Sequence, residues 1–537
     1  MYRMKMQLTD ARNRWIQLLG ESHVLSAEAA QICYGSDTGG AERRLAGALR
    51  VMDAGVVPDV VRIAHDCGVP LYPISTGRNW GYGSALPVRD DCMIVDLSGM
   101  RRIVHFDAEM GVVTLEPGVT QGMLADFLTQ RGHPFLVPVT GAGPTCSLLG
   151  NALERGYGVT PHADHFSAVT DIEAVLADGT VYRTTLREVA GEELARLFKW
   201  GIGPYATGLF TQSGFGIVTR MSIVLAPRPE SVKVCLFSLR DDSLLEPAVA
   251  RIRSILGNLP GTVGAINLMN RHRVLSMSAP FPRDRLGTDG LIPEAVIEEM
   301  GKQYQVQAWT GFTTLYGTKR VVAAAQKDIR QALAGVASRV LFLNSASART
   351  LARIAGAIPG TPGRRLASTA GTLTKSLELV NGHPNETALP LAYWRHPELH
   401  EPGRSRHPAQ DGCGLLWYAP LVPMRPADAR TYVEMVRRTT KQHGIEPLIT
   451  FTTLNDRLFD STVPLLFDRT DPRASASGLA CYHALVQAGH SQGWFPYRIG
   501  IDALEKLLPV STDPSSLPAR LKKGLDPEGI LSPGRYL

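Results

Sequence analysis

The stretch 75–87, STGRNWGYGSALP, constrains this chain more than any other, because it sets three glycines within seven residues between an extended segment, LYPIS, and a run of strands. Glycine reaches backbone conformations closed to other residues, so Gly77, Gly81 and Gly83 let successive N–H groups turn toward one anion. Arg78 supplies a matching charge. A second such stretch, TGAGPTCSLLGNALERGYG at 140–158, is placed to wrap another part of an extended ligand. Taken alone, each stretch also reads as an ordinary glycine-rich turn. Neither is the G-x-G-x-x-G fingerprint of the doubly wound dinucleotide fold, which is absent from the chain. A dinucleotide bound here needs another architecture.

The apolar spacing predicts a helix from Ala41 to about His65, with Val57, Val60, Val61 and Ala64 on one face. CMIVDLS, RRIVHFD and GVVTLEPG read as successive strands, and QGMLADFLTQRG as a helix stopped by Gly132. VTDIEAVLADGTVYRT, with an Asp-Gly turn at 178–179, and FGIVTRMSIVLAPRP add further strands. At 537 residues the chain exceeds the size at which one core keeps growing, and Pro227 and Pro229 mark a first domain boundary. From about 231 the order becomes strand, long helix, strand, an α+β layer. The closing DPEGILSPGRYL is all turn chemistry and is ordered only if something holds it.

With 44% hydrophobic and 20% charged residues the chain is globular, neither disordered nor collagen-like. Its net charge of +6 includes no run of five basic residues, which argues against nucleic acid. Cysteines 33, 67, 92, 146, 235, 413 and 481 are scattered, so reduced thiols are expected and no metal site. The first residues lack an apolar h-region and no stretch is long enough to span a bilayer, giving the expectation of a cytoplasmic protein without a membrane partner.

STGRNWGYGSALP, DLSGMRRI, EPGVT, GNALERGYGVTPHADHFSAVTDIEAVLADGTVYRT, GPYATGLFTQSGFGIVTRM and DPEGILSPGR together resemble the vanillyl-alcohol oxidase and p-cresol methylhydroxylase flavoprotein family. The likeness runs in order over most of 57–228 and returns at 494–535. It implies an α+β fold with an FAD-binding domain made from both chain ends, 1–228 with 494–537. A cap or substrate domain, α+β and built on an antiparallel sheet, is inserted at 229–493. The implied FAD contacts are Ser75, Thr76, Gly77, Arg78, Asn79, Gly81, Tyr82 and Gly83 in the first glycine loop. Pro138, Gly143, Ser147, Gly150, Asn151, Arg155 and Gly158 follow in the second region, then Gly216, Ile217, Val218 and finally Arg535.

The resemblance also carries over an acid–base carboxylate, Asp164 in TPHADHF, and phenol-binding groups, Tyr82 with the pair Tyr497-Arg498. A phenol costs roughly 4 kcal/mol to ionise at pH 7, about 1.36 per pH unit, and two hydroxyls with a guanidinium in a dry pocket supply that. The phenolate then expels hydride from its para α-carbon to flavin N5, leaving a quinone methide to which water, activated by Asp164, adds. The chain departs from the family at Leu415, where an oxidase-type histidine would bond the flavin. Tyr393 and Tyr418 are the alternatives for a tyrosyl link, and non-covalent FAD is expected. His162 replaces a residue usually aromatic in relatives, which leaves the pocket's shape open. The reduced flavin passes electrons to dioxygen or to a protein such as a cytochrome, and a homodimer is expected by analogy.

Within flavoproteins the rival is an oxidase of hydroxy acids, sugars or a natural-product intermediate, and further away a flavin-binding protein without turnover. GHSQG at 489–493 matches a nucleophile elbow around Ser491, but a helical stretch precedes it where a strand is required. HPELH at 396–400 has its Glu one place late for a zinc helix and a proline in the way.

Overall fold

A computed structural model describes residues 2–357, 371–504 and 513–536. In the N-terminal part, strands Leu45–Arg50 and Leu71–Ile74 flank Cys92–Asp96 in parallel, and Val24–Leu25 adds an antiparallel edge. A five-stranded antiparallel sheet follows, ordered Ile103–Asp107, Val112–Leu115, Ile217–Val224, Val169–Val175, Val181–Arg183.

The helix predicted over 41–65 is divided. Leu45–Arg50 is a strand, and the helix runs Val57–Cys67, ending at Gly68 in the left-handed region (φ 62°). LAGALR is buried over most of its length between neighbours on both sides, and such a short apolar run carries no period that separates strand from helix. Val57, Val60, Val61 and Ala64 do form the buried face of the helix that remains. The other strands and helices expected up to Val224 are present, including the turn at Asp178-Gly179.

Beyond Ser231 lies a nine-stranded antiparallel sheet. Its central row sets Asn267–Asn270, Thr450–Thr453 and Leu458–Phe467 side by side, in register Asn267↔Thr452↔Asp460. Helices Leu245–Asn258, Lys319–Ala332 and Pro426–Gln442 bury amphipathic faces against it. The last strand, Phe495–Pro496, leads the chain back to the N-terminal part.

The closing segment is held. Leu71 N donates to Ile530 O (2.7 Å) and Ser532 N to Leu71 O (2.8 Å), extending the parallel sheet by one bridge. Asp526, buried, accepts from Ile530 N and Leu531 N at 2.9 Å each and pairs with Lys522. The closing segment thus pairs with the N-terminal parallel sheet, and the large antiparallel sheet lies between the two in sequence. All seven cysteines are free, and among the described residues no helix is long and apolar enough to cross a membrane.

Candidate active site

A cavity of about 460 Å³ lies where the glycine stretches meet the nine-stranded sheet. The first stretch forms one wall as a series of turns, with Gly77, Gly81 and Gly83 all at positive φ. Thr76 Oγ1 accepts from Ser147 N (3.2 Å), and a Cβ on Gly150 would stand 2.3 Å from Ser75 Oγ, so the two stretches meet with no room for a side chain between them. Ser147 also caps the short helix Leu148–Leu153 by accepting from Gly150 N.

Of the residues to which the resemblance assigns FAD contacts, Ser75, Thr76, Gly77, Arg78, Asn79, Tyr82, Ser147, Gly150, Asn151, Gly158, Gly216, Val218 and Arg535 line the cavity. Gly81, Gly83, Pro138, Gly143, Arg155 and Ile217 stand behind that lining. Gly81 N donates to Thr38 Oγ1 (2.8 Å), Gly83 abuts Ile501, Gly143 abuts Leu389, Arg155 bonds Thr211 Oγ1, and Ile217 is core. Arg78 Nε and Nη1 are buried without hydrogen-bond partners, and burial draws its guanidinium down. A narrow glycine cradle holding a cation short of acceptors fits the diphosphate of FAD.

Tyr82, Tyr497 and Arg498 come together in the cavity lining. The Arg498 guanidinium lies 4.6 Å from the Tyr82 ring centre, and its Nη2 donates to Asn79 Oδ1. The Tyr497 ring stands edge-on to Tyr157 at 5.6 Å, and its carbonyl accepts from Gln212 Nε2 (2.9 Å). Glu154 carries Arg498 on one oxygen and Arg535 on the other. Burial would raise that carboxyl, but the two guanidinium groups outweigh it and hold it below its ordinary range. Burial raises the phenols of Tyr82 and Tyr497 well above theirs, so both stay protonated as donors.

Asp164 stands apart from this cluster. It is exposed and absent from the cavity lining, and its Oδ1 accepts from Ser167 N (3.1 Å), capping a turn whose backbone bridges Tyr157. Besides Glu154, which is paired, the cavity lining holds one more carboxyl, Asp460, 3% exposed, with Oδ1 unpartnered, and burial pushes it up to about 8 against the pull of Arg498. Its sequence signal was a lone acid in an otherwise apolar and hydroxylic strand, LFDSTVPLLF. The cap side of the cavity adds Asn267, Arg273, Leu391, Trp417, Thr452 and Thr462, which the sequence did not single out.

Leu415 lines the cavity. Tyr393 does not, and its hydroxyl donates to Asp411 Oδ2 (2.6 Å); Tyr418, fully buried, packs on Tyr432 away from the cavity. His162 is also outside the lining, half-buried, with burial lowering its imidazole. Ser491 ends helix Pro472–Ser491 with its hydroxyl bonded to Ala488 O, so the hydrolase elbow is lacking. HPELH forms a short turn at Pro397–Leu399, and no group of metal-ligating side chains occurs among the described residues.

A family model described as FAD binding domain matches residues 46–185. The 1'-carboxy-chondrochloren decarboxylase of Chondromyces crocatus is 34% identical over 522 residues, 97% of this chain and 95% of that protein. The 4-cresol dehydrogenase (hydroxylating) flavoprotein subunit of Pseudomonas putida is 28% identical over 486 residues, 89% of this chain and 85% of that protein. The crystal structure of p-cresol methylhydroxylase with substrate bound matches at TM-score 0.85 and 27% identity, covering 99% of this chain and 97% of that one. With likeness along nearly its whole length, a glycine cradle suited to FAD and a fold shared from end to end, this chain belongs to the vanillyl-alcohol oxidase and p-cresol methylhydroxylase family of FAD-dependent oxidoreductases.

Proposed function

We propose that this enzyme oxidises a para-substituted phenol at the carbon attached to the ring. The observation that carries the reading is the cluster of Tyr82, Tyr497 and Arg498 on one cavity wall with Asp460 beside it. Arg498 and Arg535 share one carboxylate, Glu154, which leaves the cluster an excess of one positive charge while Asp460 keeps its proton. Two hydroxyl donors and that excess charge favour a bound phenolate over the phenol. When bound, FAD supplies the two-electron acceptor for hydride leaving the para α-carbon, and the substrate becomes a quinone methide.

Tyr82 and Tyr497 hold the ring oxygen, and the buried wall around them excludes bulk water. We assign proton exchange with the substrate to Asp460, since Asp164 is exposed and occupied by Ser167. A neutral, desolvated carboxyl with a free oxygen gives and takes a proton near neutral pH.

Likeness to a protein named as a decarboxylase supports a second outcome on the same intermediate. Where the side chain carries a carboxylate on the carbon next to the benzylic one, the C–C bond to the carboxylate breaks. Its electron pair forms the new C=C bond as the ring regains aromaticity, and carbon dioxide leaves.

The test is anaerobic addition of 4-ethylphenol to the FAD-loaded enzyme. Loss of the flavin absorbance is expected. A flavin left oxidised by 4-ethylphenol, 4-cresol and vanillyl alcohol, yet reduced by lactate or glycolate, would replace this reading with that of a hydroxy-acid oxidase.

A further inference from the structure

The cap side of the cavity holds a cation without a counter-ion. Arg273 stands in the first turn of helix Arg271–Ser278, which begins where strand Asn267–Asn270 leaves the large sheet, and Asn270 Oδ1 caps the turn by accepting from Arg273 N (3.0 Å). Arg273 lines the cavity. Among the described residues Nη1 has one partner, Ser276 Oγ at 3.4 Å, Nε is buried without any, and no carboxylate lies within ion-pair distance. Burial alone draws this group down to about 10. By contrast, Arg498 and Arg535 in the same cavity share Glu154, and Arg78 belongs to the glycine loop assigned to the cofactor.

A desolvated, unpaired guanidinium is unfavourable unless an anion arrives to meet it. The helix adds to this, because its N-terminal end is the positive pole of the macrodipole, and the first turn reads Arg271, His272, Arg273 with no acid. The position also suits a long substrate. Asn267, Thr452 and Asp460 lie side by side in neighbouring strands, two strand spacings or about 10 Å across. This row leads from Asp460, beside the phenol cluster, to the strand that runs on into the helix carrying Arg273. Leu391, Leu415 and Trp417 line the same side with apolar surface that would cover an aryl or alkyl chain.

We propose that Arg273 anchors a carboxylate on the para side chain, so that the preferred substrates are hydroxyphenyl carboxylic acids rather than neutral alkylphenols. This rests on the phenol reading above. The apolar wall holds the chain between the two ends, and the guanidinium meets the carboxylate through paired N–H donors.

The experiment compares 3-(4-hydroxyphenyl)propanoate with 4-propylphenol on the FAD-loaded enzyme, with binding read by calorimetry and reduction by flavin absorbance. The wild type is expected to bind the acid at least about tenfold more tightly. Arg273→Gln is expected to shrink that preference by roughly 30-fold or more, with Arg273→Lys keeping part of it. Melting of Arg273→Gln and Arg273→Met without ligand checks that each folds. Equal affinity for both compounds in the wild type, or an equal loss for both in Arg273→Gln, would overturn the anchor. If 4-propylphenol reduces the flavin while the acid gains nothing, the anchor fails and the phenol reading stands. If the acid binds through Arg273 but neither compound reduces the flavin, the anchor stands and the phenol reading fails.

Discussion

Oε2 of Glu154 lies 3.4 Å from Nε of Arg498, and Oε1 of the same carboxylate pairs with Arg535. One acid from the second glycine stretch thus ties together the cluster of Tyr82, Tyr497 and Arg498 and the closing segment, with both arginines far along the chain from it. Glu154→Gln leaves two largely buried cations short of a counter-charge, and breaking such a pairing costs about 3 kcal/mol. A clear fall in melting temperature is expected. The sign with pH follows: Glu154 is held below its ordinary range, so its stabilisation is present above the unfolded-state pKa and is lost as pH falls through the depressed one. Acid should therefore narrow the gap between wild type and Glu154→Gln. Equal melting of the two at neutral pH would show that the bridge does not stabilise the fold.

Asp460 carries the opposite sign. Its carboxyl is pushed up to about 8 by burial, whereas an unfolded aspartate loses its proton near pH ~3.9. Between those limits the folded chain holds a proton that the unfolded chain has released, so this group makes stability fall as pH rises. Asp460→Asn should remove that fall and melt higher than wild type at the alkaline end. Above about 8 the ionised carboxylate also repels a phenolate, so phenol affinity should weaken there in the wild type and not in Asp460→Asn. Asp164→Asn, at an exposed turn, should change stability by within about 0.5 kcal/mol and keep the wild-type pH profile. A profile altered by Asp164→Asn and untouched by Asp460→Asn would return the acid–base role to Asp164.

Local patterns made much of this legible. Glycine loops announce themselves because few residues reach positive φ, and Gly77, Gly81 and Gly83 do so here. Tyr82, Tyr497 and Arg498 were legible only through resemblance, since nothing in the spacing of residues 82 and 497 says that they meet. Asp460 and Arg273 were hidden for a related reason. Each is an ordinary charge in its own segment, and only the pairing Asn267↔Thr452↔Asp460 turns them toward a common cavity. The strand at Leu45–Arg50 was misread because its helix-like apolar content is that of a buried parallel strand, fixed by pairing with Cys92–Asp96 and not by local preference.

Gly81 offers a test of the cradle. A Cβ there would stand 2.2 Å from Trp417 Cδ1 and 3.1 Å from Cγ, at φ +79°, so Gly81→Ala pays for both a strained backbone and an indole that must move. Gly40, exposed at φ +81° with nothing within 4 Å of its would-be Cβ, carries the backbone cost alone, about 1 kcal/mol. Gly81→Ala should lose more stability than Gly40→Ala and should also weaken FAD retention, measured as flavin per protein after gel filtration. Equal behaviour of the two variants would show that the contact with Trp417 does not shape the site.

Flavin attachment yields the last prediction. A covalent link needs a nucleophilic side chain at the cavity, and the position where an oxidase-type histidine is expected is Leu415, whose side chain has no atom able to form that bond. Tyr393 is engaged with Asp411, and Tyr418 is fully buried against Tyr432, with neither lining the cavity. Acid precipitation of the loaded enzyme is therefore expected to release all of its flavin into the supernatant, for wild type and for Tyr393→Phe and Tyr418→Phe alike. Flavin that stayed in the wild-type pellet and was freed by one of those variants would identify that tyrosine as the link. It would also require the cap side to rearrange when FAD binds, because neither hydroxyl reaches the cavity as the chain is folded here.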